Sequence, residues 1–213
     1  MLQSNICCLV LLDSPPQVDL GIVFGPFVNT QSDSSMRRRV FTSGTDFIKK
    51  LLSNLTISGT NGVKIGILSD STTPKIHYQL GKLSTLRDIE DALRNIPLPA
   101  EGSNQEKLAG LIRNQFFSLF NGVRLDVPKV LVFFTNGDLA DGNFIKRLKQ
   151  VNGIKNIIVS FGDDTNKDGY LDVADGEKSV FVDDNSGDLL KLFGSVQEEI
   201  FSPSRSLSTI NNL

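Results

Sequence analysis

At 213 residues, the chain is long enough for one α/β domain of about 180 residues with a short tail at each end, and too short for a second core of ordinary size. Its 22 Lys and Arg are balanced by 24 Asp and Glu, and Arg37-Arg38-Arg39 is the one dense basic run, so the electrostatic footprint of a nucleic-acid binder is excluded. A hydrophobic content of 39% excludes a disordered chain, and no apolar stretch reaches the roughly 20 residues that a membrane-spanning helix needs.

Residues 1–16 form an N-terminal segment. Its apolar run from Ile6 to Leu12 resembles the core of a signal peptide but lacks a basic leader and an Ala-x-Ala-like cleavage site, so a signal remnant and a linker both fit. Cys7 and Cys8 are the only cysteines; being adjacent, they define no disulfide framework, and the compartment stays open on this criterion. Asp19–Phe24 is a short apolar run closed by Gly25 and Pro26, as a buried strand running into a loop would be. From Thr45, the positions Phe47, Ile48, Leu51, Leu52 and Leu55 recur at helical spacing, with Asp46 in the first turn. Val63–Leu68 reads as a second strand, and Lys75–Leu80 as an alternating third strand at an edge; the polar segment 70–74 between them supplies a turn.

A helix follows over Leu83–Ile96, capped by Ser84 or Thr85 and stopped by Pro97 and Pro99, and another over Lys107–Phe120. The continuous apolar run Pro128–Thr135 requires cover on both faces and is expected in the middle of the sheet. Phe144, Ile145, Leu148 and Val151 predict a further helix, Ile154–Phe161 and Val180–Val182 two more strands, and Asp188–Phe201 a last helix. The alternation predicts a three-layer α/β/α fold over residues 17–201, with a mostly parallel central sheet, one antiparallel edge strand and right-handed crossovers. Residues 202–213 are a polar tail.

The segments Gln17–Phe24, Val63–Leu68, Glu101–Gln105 and Val127–Gly137, followed by Ile157–Gly162 and Val180–Asp184, occur in an order and spacing that resembles the von Willebrand factor A domain family. That family includes integrin inserted domains, matrilins and the globular repeats of type VI collagen. The resemblance implies a Rossmann-like fold and a protein-binding role in adhesion or matrix assembly, outside the cell. It also implies a divalent-ion adhesion site where the strands end, built from Asp-x-Ser-x-Ser, a loop Thr and Thr-Asp-Gly. A hard cation such as magnesium needs about six oxygens, some of them charged. The matching positions here are Gly25, Phe27, Asn29, Ser103 and Asn136, and none is a carboxylate. The expectation is a degenerate site holding no magnesium, in which Phe27 plugs the cleft or offers a partner an apolar contact.

A second candidate site spans 164–175. Asp164, Asn166, Asp168, the Tyr170 carbonyl, Asp172 and Asp175 fall at the spacing of an EF-hand or dockerin-like calcium loop, with Gly169 at the sharp turn. Two readings stand: a structural calcium ion, or a polar connector between a strand and a helix. Asn54-Leu-Thr56 is an N-glycosylation sequon, which points toward secretion. An enzyme on a parallel α/β fold, using a metal, is the rival class. Against it, there is no Gly-x-Ser-x-Gly elbow, phosphate loop or dinucleotide turn, and the single histidine, His77, falls on the edge strand as a half-exposed residue. A structural spacer in a larger matrix protein is the third reading. The function expected is a non-enzymatic module that binds an extracellular or cell-surface protein, and neither nucleic acid nor membrane.

Overall fold

In the computed structural model, residues 15–26, 34–100, 102–136, 139, 153–161, 167–183 and 189–202 are described. The helix expected around Phe144, Ile145, Leu148 and Val151 lies outside them, as do residues 1–14 and 203–213. Six strands form one sheet: β1 (Val18–Phe24), β2 (Val63–Ser69), β3 (Lys75–Leu83), β4 (Lys129–Thr135), β5 (Lys155–Phe161) and β6 (Val180–Asp183), in the order β3-β2-β1-β4-β5-β6. All neighbours are parallel except β2 and β3. The mostly parallel sheet with one antiparallel edge is thus present, and the apolar run of β4 is interior and buried from Val130 onward.

Helices cover both faces. On one, α1 (Ser34–Ser53), α2 (Leu86–Asn95) and α5 (Leu189–Phe201) pack Ile48, Leu51, Ile89, Leu93, Val196 and Ile200 against Leu20, Ile22, Ile65, Ile67, Val132 and Val159. On the other, α3 (Gln105–Leu111), the π-turn that continues it (Ile112–Phe116) and α4 (Lys167–Val173) pack Leu108, Ile112, Phe116, Tyr170 and Val173 on Val23, Leu68, Leu131, Phe133 and Ile158. α1 begins at Ser34 rather than near Thr45, because its first turns carry Arg38 and Arg39 in solvent and offer no apolar stripe until Phe41, whose ring meets Phe24 at 5.0 Å. α2 is shorter than expected because β3 runs on to Leu83. Thr85 caps α2: its hydroxyl accepts from the Asp88 N–H at 3.1 Å, and the Asp88 carboxylate accepts from the Thr85 N–H at 2.9 Å.

The helix expected over 107–120 ends early. At Ile112 it widens into the π-turn, closed by Phe117 N–H on the Ile112 carbonyl, and a short 3₁₀ turn follows over Leu119–Asn121. The widening delivers the Phe116 ring onto the sheet, where Gly21 and Gly66 stand side by side on β1 and β2. A Cβ at Gly21 would fall 2.6 Å from Leu131 Cδ2 and 2.8 Å from the Phe116 ring; one at Gly66 would meet that ring and also the Tyr78 carbonyl at 2.9 Å.

Two buried ion pairs tie the sheet to its surroundings. Arg124 spends all five guanidinium N–H bonds: Nε on Asp19, Nη1 on Gln17 and the Thr60 carbonyl, and Nη2 on the Val18 and Gly62 carbonyls. Its backbone N–H also donates to the Asp19 carboxylate at 2.7 Å, so this fully buried acid is held by the fork and the main chain together. At the start of β5, the buried Lys155 ammonium pairs with Glu199 of α5 at 2.7 Å and donates to the carbonyls of Glu199 and Ser202. Burial raises the Glu199 pKa, but hydrogen bonds from Lys155, Ser179 and Ser202 outweigh it and hold the carboxyl below its usual range.

Two outcomes follow. Arg124→Leu leaves Asp19 buried and unpaired and should cost about 3–5 kcal/mol in urea unfolding, and Arg124→Lys should recover only a minor part, because an ammonium cannot span five acceptors. A lysine variant as stable as the parent would show that charge alone suffices. Gly66→Ala should cost about 1–3 kcal/mol, because one of the atoms in its way is backbone and cannot move aside; unchanged stability would mean that the Phe116 seat is loose.

Candidate functional site

In an open sheet of this order, the chain winds outward in opposite directions from β1 and β4, which leaves a crevice outside their carboxyl ends. Gly25 and Asn136 stand there, directly after β1 and β4. The crevice is closely knit: Gly25 N–H donates to the Phe134 carbonyl at 2.8 Å, Asp70 N–H to the Phe24 carbonyl at 2.8 Å, and the buried Thr135 hydroxyl to the Pro26 carbonyl at 2.6 Å. Asn136 is buried, and Ser103 is exposed on the segment leading into α3. Phe27 and Asn29 lie outside the described residues.

The structure adds a residue that the sequence reading placed in a turn. Asp70 follows β2 with no exposed surface, accepting the Ser103 hydroxyl at 2.6 Å and the Asn104 N–H at 3.3 Å. Burial raises its pKa to about 6, against the opposing pull of hydrogen bonds from Ser103, Asn104 and Ser71. Asn104 in turn caps α3 by accepting from the Lys107 N–H at 3.0 Å, so the acid also fixes where this helix begins. A signal for Asp70 was present: it directly follows a parallel strand, at the same sheet end as Gly25 and Asn136.

Among the described residues, the matching positions Gly25, Ser103 and Asn136 offer a divalent ion no carboxylate. Gly25 supplies no side chain, and its φ of 101° disfavours any residue that would. Pro26 has its carbonyl engaged by Thr135, and the Ser103 hydroxyl donates inward to Asp70.

Part of the loop expected over 164–175 is helical in the described residues. Asp164 and Asn166 lie outside the described residues, but Lys167–Val173 is the helix α4, where an EF-hand loop would still be wrapping its ion. The Tyr170 carbonyl accepts from Ala174 N–H at 2.9 Å, and the Tyr170 ring is buried with its hydroxyl 3.1 Å from Ser160. Asp168 and Asp172 are exposed, whereas Asp175 is buried and its N–H donates to the Asn156 carbonyl. The physical reason is the pair Tyr170 and Val173: at helical spacing, their burial against the sheet outweighs the turn preference of Asp168 and Gly169. Elsewhere, His77 is half-buried on β3 with Nε2 3.0 Å from the Ser69 hydroxyl, and burial, aided by Lys75, lowers its pKa. Asn54 is exposed in the turn after α1.

Residues 31–195 match the model of the von Willebrand factor type A domain. Cochlin of Homo sapiens is 29% identical over 119 residues, 54% of this chain and 22% of cochlin. The collagen alpha-5(VI) chain of Homo sapiens is 32% identical over 109 residues, 49% of this chain and 4% of that one. This chain thus spans less than a quarter of either relative. Among solved structures, proximal thread matrix protein 1 from the mussel byssus, with a zinc-occupied MIDAS motif, superposes with a TM-score of 0.74 at 17% identity, covering 89% of this chain and 48% of that one. At that identity the likeness speaks for the fold.

The raised pKa of Asp70 makes stability depend on pH. The neutral acid is compatible with burial, so this contribution is fully present below the ordinary value of 3.8 and is lost as pH rises through about 6. Asp70→Asn keeps an acceptor for Asn104, while the Ser103 hydroxyl can turn to accept from the amide. The variant should match the parent at pH 4 and exceed it by about 2–3 kcal/mol at pH 7.5 in urea unfolding. An equal difference at both pH values would show that the carboxyl does not titrate as described.

Proposed function

Because the chain belongs to the von Willebrand factor type A domain family, we propose that it is a non-enzymatic, protein-binding module of the extracellular matrix or of cell adhesion, and that its strand-end cleft works without a divalent ion. One observation carries the reading. The five positions that would ligate the ion are Gly25, Phe27, Asn29, Ser103 and Asn136, with no carboxylate among them, and the acid nearby, Asp70, is buried and turned toward Ser103 and Asn104. Binding through such a cleft rests on shape, neutral hydrogen bonds and the apolar ring of Phe27.

The likeness to cochlin and to the collagen alpha-5(VI) chain supports the matrix assignment. An exposed Asn54 supports passage through the secretory route, with glycosylation at that residue. The rival enzyme reading would require several acids converging on the cleft, and among the described residues Asp70, without surface exposure, is the acid found there.

Calorimetric titration with magnesium and with manganese should give no saturable heat, and Phe27→Ser should not restore binding, because the missing quantity is charge. Retention of the protein on immobilised matrix extract should be unaffected by chelator and reduced by Phe27→Asp. Loss of retention in chelator, or a micromolar magnesium site in the parent, would overturn the proposal.

A further inference from the structure

At the opposite pole, where the parallel strands begin, β3 leaves its regular register. Its residues Tyr78 and Leu83 face Ile67 and Ile65 of β2, so the segment between them bulges outward, with Gly81 at φ 72°. The bulge forms one wall of a groove of about 360 Å³, whose other walls come from Gly59, Lys64 and the turn Phe120-Asn121-Gly122. Phe120 is 100% exposed at its rim, and Leu119 and Leu125 nearby are 63% and 75% exposed. These are the large apolar side chains most open to solvent among the described residues. The position of the groove follows from register: Asp19 at the start of β1 pairs with Lys64 and with Lys129, whereas the cleft lies beyond Phe24 and Ser69. A seven-residue strand separates the two sites by about 20 Å.

Two further observations define what the groove would accept. The first is charge: Lys64 and Lys82 line it and no Asp or Glu does. Lys64 uses one N–H on the Gly122 carbonyl at 2.7 Å and has two left, while Lys82 is exposed. The second is an orphan acceptor: Gln79 lines the groove, and its Oε1 is shielded from solvent and has no hydrogen-bond partner among the described residues. A buried acceptor left without a donor costs free energy that a ligand N–H recovers.

We propose that this groove is a second recognition site, and that it takes an extended segment of another protein that presents an apolar side chain flanked by carboxylates. The apolar side chain packs on Phe120 and Leu80, the carboxylates meet Lys64 and Lys82, and the Gln79 amide turns outward so that its Oε1 accepts an N–H of the segment. Since the groove and the cleft lie at opposite poles, both are open to partners at once, and the domain can link two proteins rather than cap one.

The test is an amide-resolved NMR titration of the full chain with two peptide panels, one placing Leu or Phe between Asp and Glu, the other carrying Lys at those acidic places. The acidic panel should give saturable shifts confined to Gln79–Lys82 and Phe120–Gly122, and the basic panel none. Phe120→Ser and Lys82→Glu change exposed side chains and should leave the melting temperature unaltered, while each weakens the acidic panel by about tenfold. Equal response to both panels, or shifts elsewhere that ignore both substitutions, would overturn the proposal. So would concentration-dependent self-association that Phe120→Ser abolishes, because the occupant would then be a second copy of the chain.

Discussion

The fork of Arg124 on Asp19 is the interaction on which the working geometry rests. Parallel strands have no hairpin turn to set their relative heights, so register must come from contacts made across the sheet. Arg124 supplies them: it leads into β4, holds the first residues of β1 through Asp19 and the Val18 carbonyl, and grips the entry to β2 at Thr60 and Gly62. Once three adjacent strands start level, their ends are level too, and Gly25, Asp70 and Asn136 meet in one crevice. The acid and the base are both removed from bulk water, which makes the pair costly to assemble and costlier to break. Specification of register is what the chain gains from it.

On the proposed reading, the cleft keeps its architecture as a binding surface while its chemistry changes. Carboxylates converging on an ion must be placed to within fractions of an ångström, and their mutual repulsion is tolerable only when the ion is present. Among the described residues the converging groups are neutral, apart from Asp70, which sits behind the surface and is bound to Ser103 and Asn104. The crevice can therefore be rigid without a ligand, held by main-chain bonds among Gly25, Phe24, Phe134 and Asp70.

Much of the fold was legible in the sequence, because burial writes itself into periodicity. The uninterrupted run of β4 announced an interior strand, and Ser84 or Thr85 announced a helix start, of which Thr85 is the cap. Errors arose where tertiary contacts override local signals. Gly81 reads as a strand terminator but marks a bulge beyond which β3 resumes, and Phe116 recruits a π-turn by seating on Gly21 and Gly66, glycines far away in sequence. Asp168, Gly169 and Asp172 read as a loop because their types favour one; the burial of Tyr170 and Val173, visible only once α4 meets the sheet, decides for helix. In the cleft, Gly25, Ser103 and Asn136 were found by position in a familiar order of segments. Asp70 was missed because nothing local separates an acid in a turn from an acid held under a helix cap.

The clamp between Lys155 and the end of α5 has a mechanical consequence. Ser202 is drawn to the first residue of β5, at the same pole where Val18 opens β1, and β4 alone stands between those two strands. The two points lie about 10 Å apart across the sheet. Tension applied through these residues is carried across the base of the domain, along the Arg124 and Lys155 anchors. The far ends of the strands lie outside that load path, so a partner seated in the cleft would be held by a part of the molecule that the pull does not strain.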